Sequence, residues 1–225
     1  MYNSVNLIIL KLFALILAMI APEFAHAYVA YKMGDNTAKL AGRLTFNPIK
    51  HIDPIGTIIL PLFSLISGGI IFGYAKPVPV NFARLRETRK GILLVSAAGV
   101  TVNLILAMIA GILLQSASLW PTSGFMGAAS SDLLAFLGFS IIINVVLAVF
   151  NLIPIPPLDG SRILALYLPR DIQLSYIKLE RYGMLIILLL LMTGILGKIL
   201  GFFVWPLINI FLGKYLPLIV KLFFL

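Results

Sequence analysis

Apolar residues in this chain come in long runs separated by short polar stretches rich in lysine and arginine. The first run covers roughly Leu7 to Tyr31, and later ones cover Gly91 to Gln115 and Leu133 to Ile153. Two more close the chain, roughly Tyr182–Leu196 and Ile199–Leu212, followed by an apolar tail from Lys214 that can lie along a membrane interface. A helix needs ~20 apolar residues to cross a bilayer, and several of these runs reach or approach that length. The run from Ile55 to Ile71 is different. Pro61, Gly68 and Gly69 interrupt it, and basic residues flank both ends: Lys50 before, then Lys76, Arg84, Arg86, Arg89 and Lys90. Two ends on one side imply a re-entrant loop or hairpin, not a crossing. The pattern predicts an all-α multi-pass membrane protein, one domain over residues 1–225, with about five to six transmembrane segments and a re-entrant loop or hairpin after the first. No internal repeat is visible.

Composition sharpens this picture. The chain is 61% hydrophobic and only 11% charged, which excludes an ordinary soluble domain. No polar stretch is long enough for an appended peptide-binding or nucleotide-binding module. The net charge of +9 does not signal nucleic acid, because lysine and arginine collect in cytoplasmic loops and orient a membrane chain. Thirteen of the seventeen basic residues lie in three loops assigned to the inside, while Ser116–Ser131 has none and is assigned outside. The N-terminus then lies outside, and both the later half of the first span and Asp159 lie toward the cytoplasm. With no cysteine, disulfides and thiolate metal sites are excluded. The first run lacks a basic leader and carries ionisable residues, so a retained span is expected, not a signal peptide.

Polar residues inside the spans are the candidates for chemistry, because they are costly in lipid. Lys11 lies near the start of the first span and can snorkel to the interface. Asn144 and Asn151, seven apart, share a face that should look into the protein. Gly99, Asn103, Ala107 and Gly111 fall four apart, a spacing that lets helices pack closely. The centre of interest is Ala21-Pro22-Glu23-Phe24-Ala25-His26. Glu23 and His26 sit at i and i+3 and so share a helix face. A zinc-protease helix reads H-E-x-x-H, and here Pro22 stands where the first histidine belongs. Proline removes a backbone donor and crowds the carbonyl of Ala18, at about 3 kcal/mol unless neighbours compensate. An ordinary kink is favoured over a half-helix opening at Pro22.

These residues, taken together, resemble the site-2 protease family of intramembrane zinc metalloproteases (peptidase M50-like), in its compact form without a PDZ domain. Glu23-Phe24-Ala25-His26-Ala27 is similar to the family's H-E-F-A-H-A helix. The Asn47–Thr57 stretch and Tyr74–Asn81 are similar to segments of its compact members. Gly99 and Asn103 fit G-P-x-x-N, with Val100 in place of the proline. Asn151 to Gly160, Asn-Leu-Ile-Pro-Ile-Pro-Pro-Leu-Asp-Gly, matches N-x-x-P-x-P-x-L-D-G throughout. The resemblance implies one zinc ion, with His26 and Asp159 as ligands brought close together and Glu23 as general base. Asn151 would orient the substrate strand. It also implies substrates that are membrane-spanning segments of other proteins, and residence in a bacterial or archaeal plasma membrane. Pro22 cannot coordinate metal, and a catalytic zinc ordinarily takes three protein ligands. His51, the other histidine, is a possible substitute, although a loop histidine bonding its own turn is the favoured reading. Two alternatives stand beside an active protease. One is an impaired or inactive homologue that binds membrane helices. The other is a small transporter with a broken first helix, against which stand the missing repeat and the complete proline-rich motif.

Overall fold

The computed structural model describes residues 4–59, 75–121 and 123–223. Among them it is all helix and irregular chain, with no strand. Four helices are long and apolar enough to cross a membrane. The long elements are α1 (Ser4–Lys32), α3 (Thr88–Gln115), α4 (Gly124–Leu152) and α8 (Ile195–Leu212). Short helices stand between them: α2 (Thr37–Leu40), α5 (Asp159–Ala165), α6 (Arg170–Lys178) and α7 (Gly183–Met192), with α9 (Leu216–Phe223) at the end. The multi-pass helical architecture is the one the apolar runs predict.

Two details differ from expectation. The helix expected from Leu133 begins instead at Gly124, shortening the loop expected over Ser116–Ser131. Ser130 and Ser131 donate their hydroxyls to the carbonyls of Met126 and Gly127, four residues back, so these polar residues ride on a helix and do not end it. The apolar stretch around Tyr182–Leu196 forms only the ten-residue α7, about 15 Å long, roughly half the thickness of a bilayer core. Gly194, at φ 71, supplies the left-handed turn that separates it from α8. The Nζ of Lys11 lies 5.3 Å from the ring centroid of Phe139, near the midpoint of α4. Most of the Ile55–Ile71 run lies outside the described residues; its start belongs to one wide helical turn, Pro54–Ile59.

The chain forms two compact units. The larger comprises residues 1–18 and 100–225. Its core joins Ala14, Ala107, Leu114, Phe139, Ile141, Val145, Ile208, Leu212 and Ile219, all nearly inaccessible. The small-residue face of α3 contributes Asn103, Ala107 and Gly111, which are buried, so close packing explains their spacing.

The smaller unit spans residues 19–99. Among its described residues an apolar cluster joins Ala30, Leu85 and Val95, with Val80, Phe82 and Ile92 against them. Asp35 is the fully buried polar hub. One carboxylate oxygen accepts from the amide and hydroxyl of Thr37, and the other accepts from Asn81 N at 2.7 Å. The end of α1 is thereby tied to the chain 46 residues later. Burial pushes the Asp35 carboxyl up, but the bonds from Thr37 and Asn81 and the nearby Arg84 cation outweigh it, and its pKa falls below the usual carboxylate value.

Two outcomes follow for Asp35. Replacing it with alanine removes the acceptor of the Thr37 and Asn81 amides and should cost about 1–3 kcal/mol, read as a lower thermal unfolding midpoint in detergent. Because the folded pKa is depressed, the carboxylate's contribution is complete above the ordinary value of about 3.9 and fades as pH falls through the folded value. Acidification below about pH 4 should lower the wild-type midpoint more than that of Asp35→Asn.

Candidate active site

Two of the expected site residues, Glu23 and His26, lie on α1 in the smaller unit. The helix runs unbroken through Pro22, which is buried, so no half-helix opens there. Glu23 and His26 follow one turn apart, both half-buried. Phe24 packs at 4.0 Å ring-centroid distance on Phe46, which lays the 41–52 loop beside this part of the helix.

Glu23 is held by an extended strap, residues 75–81. Its Oε2 accepts the backbone N–H of Val78 at 2.8 Å. The local sequence Lys76-Pro77-Val78-Pro79 explains the choice of donor. Each proline keeps the residue before it extended and has no N–H of its own. Val78 therefore carries the one amide proton in Pro77–Pro79, and that proton goes to Glu23.

His26 is held by α3. Its Nδ1 lies 2.7 Å from the carbonyl oxygen of Val95. A carbonyl can only accept, so Nδ1 carries the proton, and in the neutral ring Nε2 carries the lone pair. This is the usual arrangement behind a metal-binding histidine, in which the remote nitrogen is fixed by a backbone acceptor. One turn beyond Val95 stands Gly99, and a Cβ there would run into Nε2 and Cε1 of the imidazole. Glycine at 99 thus makes room for the ring that Val95 orients.

The other expected residues, Asn151 and Asp159, lie in the larger unit. Asn151 lies in the last turn of α4, and Asp159 opens α5, where a carboxylate suits the helix N-terminus. Between them the proline-rich segment makes a compact reversal. Ile155 N donates to Ile153 O, Leu158 N to Ile155 O and Ser161 N to Leu158 O. Tyr176 adds a hydroxyl bond to Pro154 O at 2.8 Å. A Cβ on Gly160 would collide with the carbonyl of Leu152, so the glycine after Asp159 lets α5 fold back onto the end of α4. On the same α4, Asn144 is buried and donates to Ser140 O at 2.8 Å, which fits the inward face expected for it.

His51 takes the bland role. It is buried, and its Nε2 lies 2.9 Å from Thr45 O in its own loop. Among the described residues no three His, Cys, Asp or Glu side chains form a group that could hold a metal ion. His26 fits zinc by tautomer and Asp159 by donor type, whereas Pro22 offers no donor, so the expected set stands at two protein ligands where three are usual. The Val78 amide and the Val95 carbonyl escape a reading of side chains because both are backbone groups; the prolines on either side of Val78 are the one sequence signal for them.

Comparisons with known proteins agree with this architecture. The family model for peptidase family M50 matches residues 122–194. YwhC of Bacillus subtilis (strain 168), named as a zinc metalloprotease, is 41% identical over 209 residues, spanning 93% of this chain and 90% of that protein. Rip2 of Mycolicibacterium smegmatis (strain ATCC 700084 / mc(2)155), also named as a zinc metalloprotease, is 32% identical over 197 residues, 87% of this chain and 71% of that protein. No solved structure matches the chain significantly. The chain belongs to peptidase family M50, the site-2 type of intramembrane metalloprotease.

The role of Gly99 can be checked directly. Gly99→Ala should displace the His26 ring from Val95 O and lower the thermal unfolding midpoint in detergent, at a cost of about 1–3 kcal/mol. Gly201→Ala is the control, since nothing lies within 4 Å of a Cβ there, and the midpoint should not fall.

Proposed function

We propose that this chain hydrolyses peptide bonds in the membrane-spanning segments of other proteins. Glu23 is the base that takes a proton from water as it attacks the peptide carbonyl. His26 and Asp159 are the zinc-binding residues, and Asn151 orients the substrate strand. The active-site end faces the cytoplasm. The observation that carries this reading is the anchoring of the α1 pair. Glu23 and His26 stand one turn apart, the carboxylate held by Val78 N–H and the imidazole by Val95 C=O. Groups fixed from the backbone are set for reaction before substrate arrives, which is where such a site gains its rate.

Pro22 favours a second reading, an attenuated enzyme that retains the fold and binds membrane helices. The missing imidazole matters more than the ring's effect on the helix, because α1 continues through Pro22. The test compares the chain with Pro22→His, Pro22→Ala and Glu23→Gln, measuring zinc per protein and cleavage of a model transmembrane substrate. The proposal expects weak zinc and slow cleavage in the chain as written, a rise in both for Pro22→His, no rise for Pro22→Ala, and no cleavage for Glu23→Gln. Cleavage unaffected by Glu23→Gln would overturn the assignment of the base. Failure of Pro22→His to raise zinc or cleavage would favour the binding-only reading. Stoichiometric zinc in the chain as written, lost on His51→Ala, would make His51 the third ligand.

A further inference from the structure

The smaller unit contains a buried cation that the peptidase reading does not use. Arg43 is 7% exposed. Its Nη2 donates to the carbonyls of Lys76 at 2.6 Å and Pro77 at 3.5 Å. Its Nε is buried with no hydrogen-bond partner. Among the described residues no carboxylate pairs with it. Carbonyl oxygens satisfy part of a guanidinium but do not neutralise it, and a buried charge without a counter-ion is costly.

Arg43 does not stand alone. It lines a cleft of about 530 Å³ together with Lys50 and Lys76. The remaining walls include Ile49, Ile52 and Pro77, and among the described residues no acid lines it. Around it the same loop exposes large apolar side chains: Leu40 is 79%, Phe46 61% and Ile49 72% exposed. That loop follows the end of the first span at Lys32 and precedes the apolar run that begins at Ile55. Exposed apolar side chains interleaved with lysines, between two apolar segments of a membrane protein, suit the boundary between headgroups and acyl chains.

We propose that this cleft is a binding site for the phosphate headgroup of an anionic phospholipid. The phosphodiester oxygens lie against the Arg43 guanidinium and the two ammonium groups, and the glycerol and upper acyl carbons lie on Ile49 and Ile52. Arginine binds phosphate through several N–H groups at once, and lysine adds point charge. Three cations without an acid overmatch a single carboxylate, and the apolar wall requires a ligand with an apolar portion; a phospholipid meets both demands where an acidic peptide meets one. The consequence reaches beyond binding. Arg43 grips the strap at Lys76 and Pro77, and the next residue, Val78, donates to Glu23. A lipid that holds Arg43 steadies the segment that holds Glu23.

The test uses the full chain purified in detergent and titrated with phosphatidylglycerol, phosphatidylcholine or inorganic phosphate. Bound lipid is counted by native mass spectrometry and the thermal midpoint is followed in parallel. Expected is one retained phosphatidylglycerol and a raised midpoint, with neither effect from phosphatidylcholine or free phosphate at equal concentration. Lys50→Gln and Lys76→Gln should each weaken retention about fivefold, and Arg43→Gln more than tenfold. Should Arg43→Gln fail to fold, the two exposed lysines decide alone. Equal retention by the lysine variants would overturn the site. A full midpoint shift by inorganic phosphate, or displacement of the lipid by an acidic peptide, would overturn the assignment of its occupant.

Discussion

A carboxylate on an apolar helix stays useful only if something other than bulk water holds its charge. Here one such holder is an amide, the N–H of Val78 on Glu23. Much of the smaller unit serves to keep that amide in place. The strap is fixed at four points within six residues. Lys76 N bonds His51 O, Lys76 O receives Arg43, Val78 N meets Glu23, and Asn81 N meets Asp35. None of these is a hydrophobic contact. A segment that must stay extended beside a helix has no internal hydrogen bonds to stabilise it, so its backbone groups are satisfied from outside. The buried Asp35, Arg43 and His51 are the residues that do so.

The site therefore depends on backbone as much as on side chains. Val95 offers His26 a carbonyl that already belongs to a helix, and its second lone pair makes the sharing possible. Gly99 and Gly160 are needed for what they lack. One leaves room for an imidazole, and the other lets a helix turn back onto the one before it. A family motif that reads as a string of letters becomes, in the structure, a set of distances of approach.

The sequence made some of this legible and hid the rest for definite reasons. Long apolar runs announce membrane helices because lipid tolerates nothing else, so α1, α3 and α8 lie where the pattern puts them. The start of α4 was obscured by serine, glycine and alanine, residues a loop and a helix accept about equally. The spacing of Glu23 and His26 and the proline-rich Leu158-Asp159-Gly160 turn could be read directly, because each uses side chains or prolines that leave a mark in the letters. Asp35 and Arg43 gave no warning. Both stand in a polar, basic stretch that looks solvated, yet both are buried and both bond the returning strap. Pairings between residues 33–46 positions apart have no local signature.

Lys11 carries a different implication. Its ammonium rests over Phe139, close to the middle of a long helix and away from either end. A ring face carries partial negative charge, so Phe139 gives the ammonium some of what a shell of water would. The ring does this without any formal charge of its own, and an aliphatic side chain of equal volume would fill the same space and leave the cation poorer.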